Sequence, residues 1–211
     1  VQGGADINEL FKAVRNVRAG NSEDWYASFT ALGDNIKKIA DDAVASGHEV
    51  TASQAYRRAF TYYRSAERVL AGGDARKVPM YHKTIECFHE GFGRSTHKYE
   101  RIVIPFDGHE LQGIFLPPRS QIGGSPPPCI IFPTGADALP EENMFRGAQE
   151  MTERGAAVML FNGPGQGSTI RLLGLPTILQ GVESHVHLYH PITLLLLHCL
   201  QCPDTQNVLL A

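Results

Sequence analysis

The chain has 211 residues, 43% hydrophobic and 19% charged, which suits one large or two small globular domains. A net charge of -3 without any run of Lys or Arg excludes a nucleic-acid-binding face, and the longest apolar run, near residues 194–197, is far too short for a membrane span. Four cysteines (Cys87, Cys129, Cys199 and Cys202) are too few for a disulfide framework, and the N-terminus lacks a signal-peptide layout, so the expectation is a cytoplasmic protein in a reducing compartment.

The first ninety-odd residues carry helical periodicity. A short stripe, Ile7, Leu10, Phe11 and Val14, comes first. The stripe Trp25, Phe29, Leu32, Ile36, Ile39 and Ala43 follows, with Asn21 or Ser22 as N-cap and Gly47 as its stop. A third helix runs along Tyr56, Phe60, Tyr63 and Leu70, capped by Thr51 and ended by Gly72-Gly73; Glu67 on this stripe is expected to pair with a neighbouring arginine. A fourth carries Tyr81, Ile85, Phe88 and Phe92 and closes at Gly93. Four amphipathic helices with short loops predict a helical domain over residues 1–97.

From Tyr99 the period becomes 2. "RIVIPFDGHELQGIFLP" reads as two strands around Asp107-Gly108, with Pro105 placing the first at a sheet edge. The stretch "PPRSQIGGSPPP" is loop. "CIIF" is a buried strand, "PEENMFRGAQEMTERG" a helix with Met144, Ala148 and Met151 on one face, and "AAVMLF" a second buried strand. Strand, helix and strand, with both strands wholly apolar, make a βαβ unit in a parallel sheet, so residues 98–211 are α/β. Near the end "ITLLLLHCLQ" suits a buried helix and "NVLLA" a short strand, while residues 176–190 show no clear period.

The loop Gly163-Pro164-Gly165-Gln166-Gly167 follows a buried strand. As a dinucleotide fingerprint it fails at its third glycine, where Ser168 stands; as a phosphate loop it lacks lysine, and a plain turn remains the ordinary reading. His185, His187, His190 and His198 cluster with Cys199 and Cys202, but a second cysteine pair is missing and no metal site is expected. Thr134, Gly135, Ala136 and Asp137 by themselves read as a strand-ending turn with Asp137 as a local cap.

"SGHEVTASQAYRRAFTYYRSAERVL" and "YHKTIECFHEG" resemble the helical N-terminal domain of the dihydroxypseudooxynicotine hydrolase group of α/β-hydrolases. "FPTGADALPEEN" and "LFNGPGQGSTIRLLG" are more similar to a fungal branch that shortens an aromatic heptaketide in conidial, melanin-type pigment synthesis by removing an acetoacetyl-type side chain. The resemblance covers roughly residues 21–175. It implies an α/β fold, a truncated α/β-hydrolase sheet preceded by a helical N-terminal cap or dimerisation domain. It implies an aromatic polyketide-like substrate, a homodimer, and no cofactor. Under it, Gly135 and Ala136 belong to the oxyanion loop, Asp137 contacts substrate, and Gly163, Gly165, Gln166 and Gly167 form the pocket wall.

The serine nucleophile of that fold sits on a G-x-S-x-G elbow after the fifth strand. Ser125 lies in the Pro-rich stretch, and Ser168 is expected to lack the strand-turn-helix frame. With "NVLLA" as the fifth strand, the Ser, Asp/Glu and His triad is expected beyond Ala211, so no catalytic residue is assigned. A sheet cut there would expose an apolar edge and favour association. The alternative is an inactive hydrolase fold that binds a partner or an aromatic ligand.

Overall fold

The computed structural model describes residues 4–120, 127–135, 137–175 and 208–210. The chain divides into two compact units, Val1–Lys98 and Tyr99–Ala211. The expected Leu-rich helix and the His/Cys cluster lie outside the described residues.

The first unit contains α1 (Ile7–Val14), α2 (Ser22–Ala45), α3 (Glu49–Arg68) and α4 (Lys77–Gly93). Asp6 caps α1 by accepting from the N–H groups of Asn8 and Glu9, and Asn21 caps α2 by accepting from that of Asp24. Gly47 ends α2 with φ +73°, a conformation that favours glycine. The chain then turns directly into α3, so the helix starts at Glu49 with His48 as N-cap, and Thr51 lies inside its first turn rather than capping it. Nor does Gly72-Gly73 stop α3. Glu67 O in its last turn accepts from Leu70 N at 3.1 Å and from Lys77 Nζ at 3.3 Å, and Lys77 Nζ also reaches Leu70 O, just past the helix, at 2.9 Å.

The core of this unit is aromatic. The rings of Phe60, Phe88 and Phe92 follow one another at 5.7 and 4.8 Å. Gly33 lets α2 come close to α3, since a Cβ there would meet the Tyr63 ring at 2.6 Å. Tyr62 and Tyr63 are fully buried, and their hydroxyls donate to Glu9 and to Asp34, the latter at 2.7 Å. Burial first, and these carboxylates second, raise both phenol pKa values above the usual range. Burial likewise pushes the Cys87 thiol up to about 12. The short stripe of α1 behaves differently from a core stripe. None of its residues is buried, and Ile7 and Phe11 stay 53% and 67% exposed. Polar contacts anchor α1 instead: Tyr62 Oη donates to Glu9, Asp6 N donates to Tyr62 Oη at 2.9 Å, and Arg58 meets Glu9 at 3.1 Å.

Glu67 is fully buried and pairs with Arg64, as its spacing leads one to expect, and also with Lys77 at 3.1 Å. A buried carboxylate survives only with such partners.

The second unit is a five-stranded sheet of order β1-β2-β4-β3-β5, with β1 (Glu100–Phe106), β2 (His109–Leu116), β3 (Cys129–Pro133), β4 (Ala157–Phe161) and β5 (Val208–Leu210). The hairpin closes through Asp107 (φ +46°) and Gly108 (φ +74°), the paired left-handed conformations of a type I′ turn. β1 occupies the edge that Pro105 requires. β2 is antiparallel to β4, whereas β4, β3 and β5 are parallel. Ile104, Leu111, Ile131 and Met159 form part of the core cluster on this sheet.

The expected single helix between β3 and β4 is two pieces: a 3₁₀ turn, Pro140–Phe145, and α5, Ala148–Glu153. Gly147, with φ +112°, separates them, because that backbone cannot continue a right-handed helix.

Replacing Glu67 by Leu leaves the Arg64 guanidinium and the Lys77 ammonium without their shared carboxylate. The expected loss is about 3 kcal/mol of unfolding free energy, read by urea denaturation.

Candidate functional site

The register of β3 with β4 pairs Cys129 with Ala157 and Pro133 with Phe161. Both strands therefore end level, and the loops that follow leave the same carboxyl edge of the sheet. From β3 the chain proceeds to β4 on one side, and β5 pairs with β3 on the other. The strand order thus reverses at β3. Open α/β sheets bind ligands in the crevice outside such a reversal, at the carboxyl ends of the strands. The residues after β3 stand at that crevice.

Thr134 is 7% exposed, and Gly135 is exposed with nothing within 4 Å of a Cβ built on it. Ala136 lies outside the described residues. Asp137 receives an ion pair that the sequence reading missed. Arg171, on α6 (Gly167–Leu173), reaches its carboxylate at 2.8 Å. The Arg171 side chain is 2% exposed and that of Asp137 51%. Arg171 Nη1 also donates to Gly167 O at 2.9 Å, which ties the start of α6 to the loop after β3. The only sequence signal for this pair is that no further Lys or Arg follows Arg171.

The glycine loop, residues 162–166, joins β4 to α6. Its amides are engaged within the protein, Asn162 N donating to Gln112 O on β2 at 3.3 Å. Gly163 N donates to Gln166 Oε1 at 2.9 Å, Gly165 N to Leu175 O at 3.0 Å, and Gln166 N to Gly163 O at 3.1 Å. A phosphate cradle needs those N–H groups turned outward, so the geometry opposes a nucleotide loop. The glycines answer backbone needs. Gly165 has φ +75° and Gly167 φ +39°, and a Cβ on Gly167 would lie 2.0 Å from Asn162 Oδ1.

Gln166 bridges the two loops. Its Oε1 accepts from Gly163 N and, at 3.2 Å, from Thr134 Oγ1, while its Nε2 donates to Thr134 O. Behind it Asn162, 1% exposed, donates from Nδ2 to Ser168 Oγ at 2.9 Å, and Thr169 Oγ1 donates to Asn162 O at 3.3 Å. Of the anticipated wall residues, the structure brings Gln166 and Gly163 into direct contact with the loop after β3 or with each other. Gly165 and Gly167 shape the backbone that holds them.

Ser168 does have a strand, a turn and a helix around it, contrary to expectation. The periodicity signal was hidden because α6 is only seven residues long and ends at Gly174 in the left-handed region. The frame does not make Ser168 a nucleophile. It is 5% exposed and its hydroxyl meets an Asn amide, which cannot take a proton. Among the described residues no group of three His, Cys, Asp or Glu is placed to hold a metal ion.

No family model matches the chain. It is 32% identical over 176 residues to the alpha/beta hydrolase xenA of Xenoacremonium sinensis, covering 82% of this chain and 41% of that protein. It is 33% identical over 180 residues to the alpha/beta hydrolase psoB of Aspergillus fumigatus, covering 82% and 40%. The hydrolase acrC of Aspergillus aculeatus is 32% identical over 216 residues, covering 91% of this chain and 50% of that one. The chain thus spans half or less of the length of these curated relatives. The crystal structure of 2,6-dihydroxy-pseudo-oxynicotine hydrolase superposes with a TM-score of 0.74 at 20% identity, over 99% of this chain and 55% of that one, and shows the fold.

Two glycines of the site should respond oppositely to alanine. Gly167→Ala forces a Cβ into the Asn162 side chain at positive φ, and should cost about 2 kcal/mol or more. Gly135→Ala meets nothing, and should stay within about 0.5 kcal/mol of the parent. Parallel urea titrations of the two variants check both values.

Proposed function

The chain is a homologue of fungal α/β-hydrolases, and we propose that it serves the hydrolytic shortening of an aromatic ketonic polyketide. In this reaction water cleaves a C–C or ester bond beside a carbonyl. For the C–C case the acyl carbon takes the hydroxyl and the ring carbon takes the proton, releasing an acetoacetyl-type acid. Such a step belongs to the making of melanin-type pigments.

One observation carries the reading: the strand order β1-β2-β4-β3-β5 with β4, β3 and β5 parallel, which sets the loop after β3 at the crevice. There Gly135 and Ala136 are assigned to the oxyanion loop, whose N–H groups meet the negative oxygen of the tetrahedral intermediate. Asp137 is assigned to the phenolic hydroxyl of the substrate, with Arg171 holding its carboxylate in place. Gly163, Gly165, Gln166 and Gly167 are assigned to the wall. None of the described residues is assigned as the nucleophile or its base. The chemistry runs on side chains and backbone amides and needs no cofactor. The same reading takes the protein as a cytoplasmic homodimer acting on a small molecule. Among the described residues no helix is long and apolar enough to cross a membrane.

The rival reading, a binding protein without turnover, rests on the described residues offering no activated nucleophile, since Ser168, the one among them on a strand-turn-helix frame, meets only an Asn amide. The two part on one assay. The native protein is incubated with an acetoacetyl-substituted dihydroxynaphthalene, and released acetoacetate is followed by mass spectrometry. Turnover is expected of a chain that carries the Ser, Asp/Glu and His triad. Gly135→Pro, which has no backbone N–H, should lower kcat/KM by about 100-fold, the scale of a lost oxyanion donor. Ser168→Ala should retain full activity. Tight binding of the diketone without product would establish the rival, and loss of turnover in Ser168→Ala would reassign the nucleophile.

A further inference from the structure

We infer that Gln166 is a positioning residue, a clamp whose side-chain amide fixes the Thr134–Gly135 peptide and so aims the Gly135 N–H at the reacting oxygen. The aim of that N–H rests on the function proposed above; the clamp itself rests on geometry alone.

Gln166 Nε2 donates to Thr134 O, and the carbonyl it holds belongs to the same peptide unit as Gly135 N–H. In a trans peptide the C=O and N–H point in opposite directions. Fixing the carbonyl towards Gln166 therefore turns the Gly135 N–H away from the glycine loop. The bond also has a defined sense. Gly163 N–H can only donate, so it must face Oε1, at 2.9 Å, and Thr134 C=O can only accept, so it must face Nε2. Flipping the amide would break both contacts.

The clamp is itself held. Gln166 N donates to Gly163 O at 3.1 Å, and Gln166 O accepts from Thr169 N at 2.9 Å and from Ile170 N at 3.2 Å. Its backbone is thus fixed at the start of α6, leaving the side chain one short reach across to β3. Glycine at 163 is part of the device, because a Cβ there would approach Gln166 Oε1 to 3.2 Å. Gly135, by contrast, is exposed and has no neighbour within 4 Å of a Cβ. The loop is also held on its far side, where Ala138 N donates to Gly135 O at 3.1 Å, so the clamp is what fixes the peptide on the β3 side.

Gln166→Glu tests this at nearly constant volume. The carboxylate still accepts from Gly163 N–H but cannot donate to Thr134 O, and it sets two oxygens against each other. Gln166→Ala removes both contacts. In the native protein labelled with ¹⁵N-glycine, the Gly135 amide is expected near an order parameter of about 0.85, falling below about 0.6 in both variants. Unchanged order in both variants overturns the clamp, whether or not the protein turns over substrate. With the diketone substrate, kcat should fall about 100-fold at constant KM, and affinity for a trifluoromethyl ketone analogue should fall by the same factor. Falling order with unaltered kcat would overturn the positioning role. Absence of turnover in the parent would refute the proposed function while the order parameter still decides the clamp.

Discussion

β3 and β4 run side by side in parallel, with Pro133 opposite Phe161, and this pairing sets what can meet at the carboxyl edge of the sheet. Because both strands stop at one level, Thr134 and Gln166 come within hydrogen-bonding distance although 32 residues separate them. A register shift of one residue would also take Ile131 and Met159 out of the cluster they share with Leu111 and Phe115. The hydrophobic pattern of two five-residue strands therefore fixes the geometry of a polar cluster beyond their ends. The demands made on individual residues follow from that geometry. Gly167 must lack a side chain because Asn162 fills the space, and Arg171 must be long enough to reach Asp137 from α6.

The helical unit solves a different problem. Its core contains tyrosines and charges as well as phenylalanines, and each polar head requires a partner when desolvated. Tyr63 finds Asp34, Tyr56 finds Asp41 at 2.6 Å, and Glu67 finds Arg64 and Lys77. All but Glu67–Arg64, which lies within α3, join different helices, so they specify alignment as well as stability. Lys77 both neutralises the Glu67 carboxylate and donates to the Glu67 carbonyl in the last turn of α3. A helix can even be anchored without burying an apolar face, as α1 is through Asp6 and Glu9.

The polar cluster after β4 also explains why a glycine-rich loop after a strand is a poor guide to nucleotide binding. Its N–H groups are engaged by Gln166 Oε1, Leu175 O and Gly163 O. Its glycines permit left-handed turns and one close approach to Asn162. The same composition in a phosphate loop would leave those donors pointing outward. Composition reports that the backbone is unusual, and hydrogen-bond partners report what the unusual backbone is for.

Local rules in the sequence determined the four helices, the Asp107-Gly108 hairpin, the parallel βαβ unit and the short last strand, because periodicity and turn chemistry act within a few residues of where they are written. The same rules missed the break at Gly147 and the short helix holding Ser168. Each of those depends on a positive-φ glycine and on fewer than two helical turns, too little length for a periodic signal. The sequence also singled out Gly135, Asp137 and Gln166, through a resemblance and not through spacing. Only the tertiary structure joined Asp137 to Arg171 and Gln166 to Thr134. Those partners lie more than thirty residues apart, and only the register of two parallel strands decides that they meet.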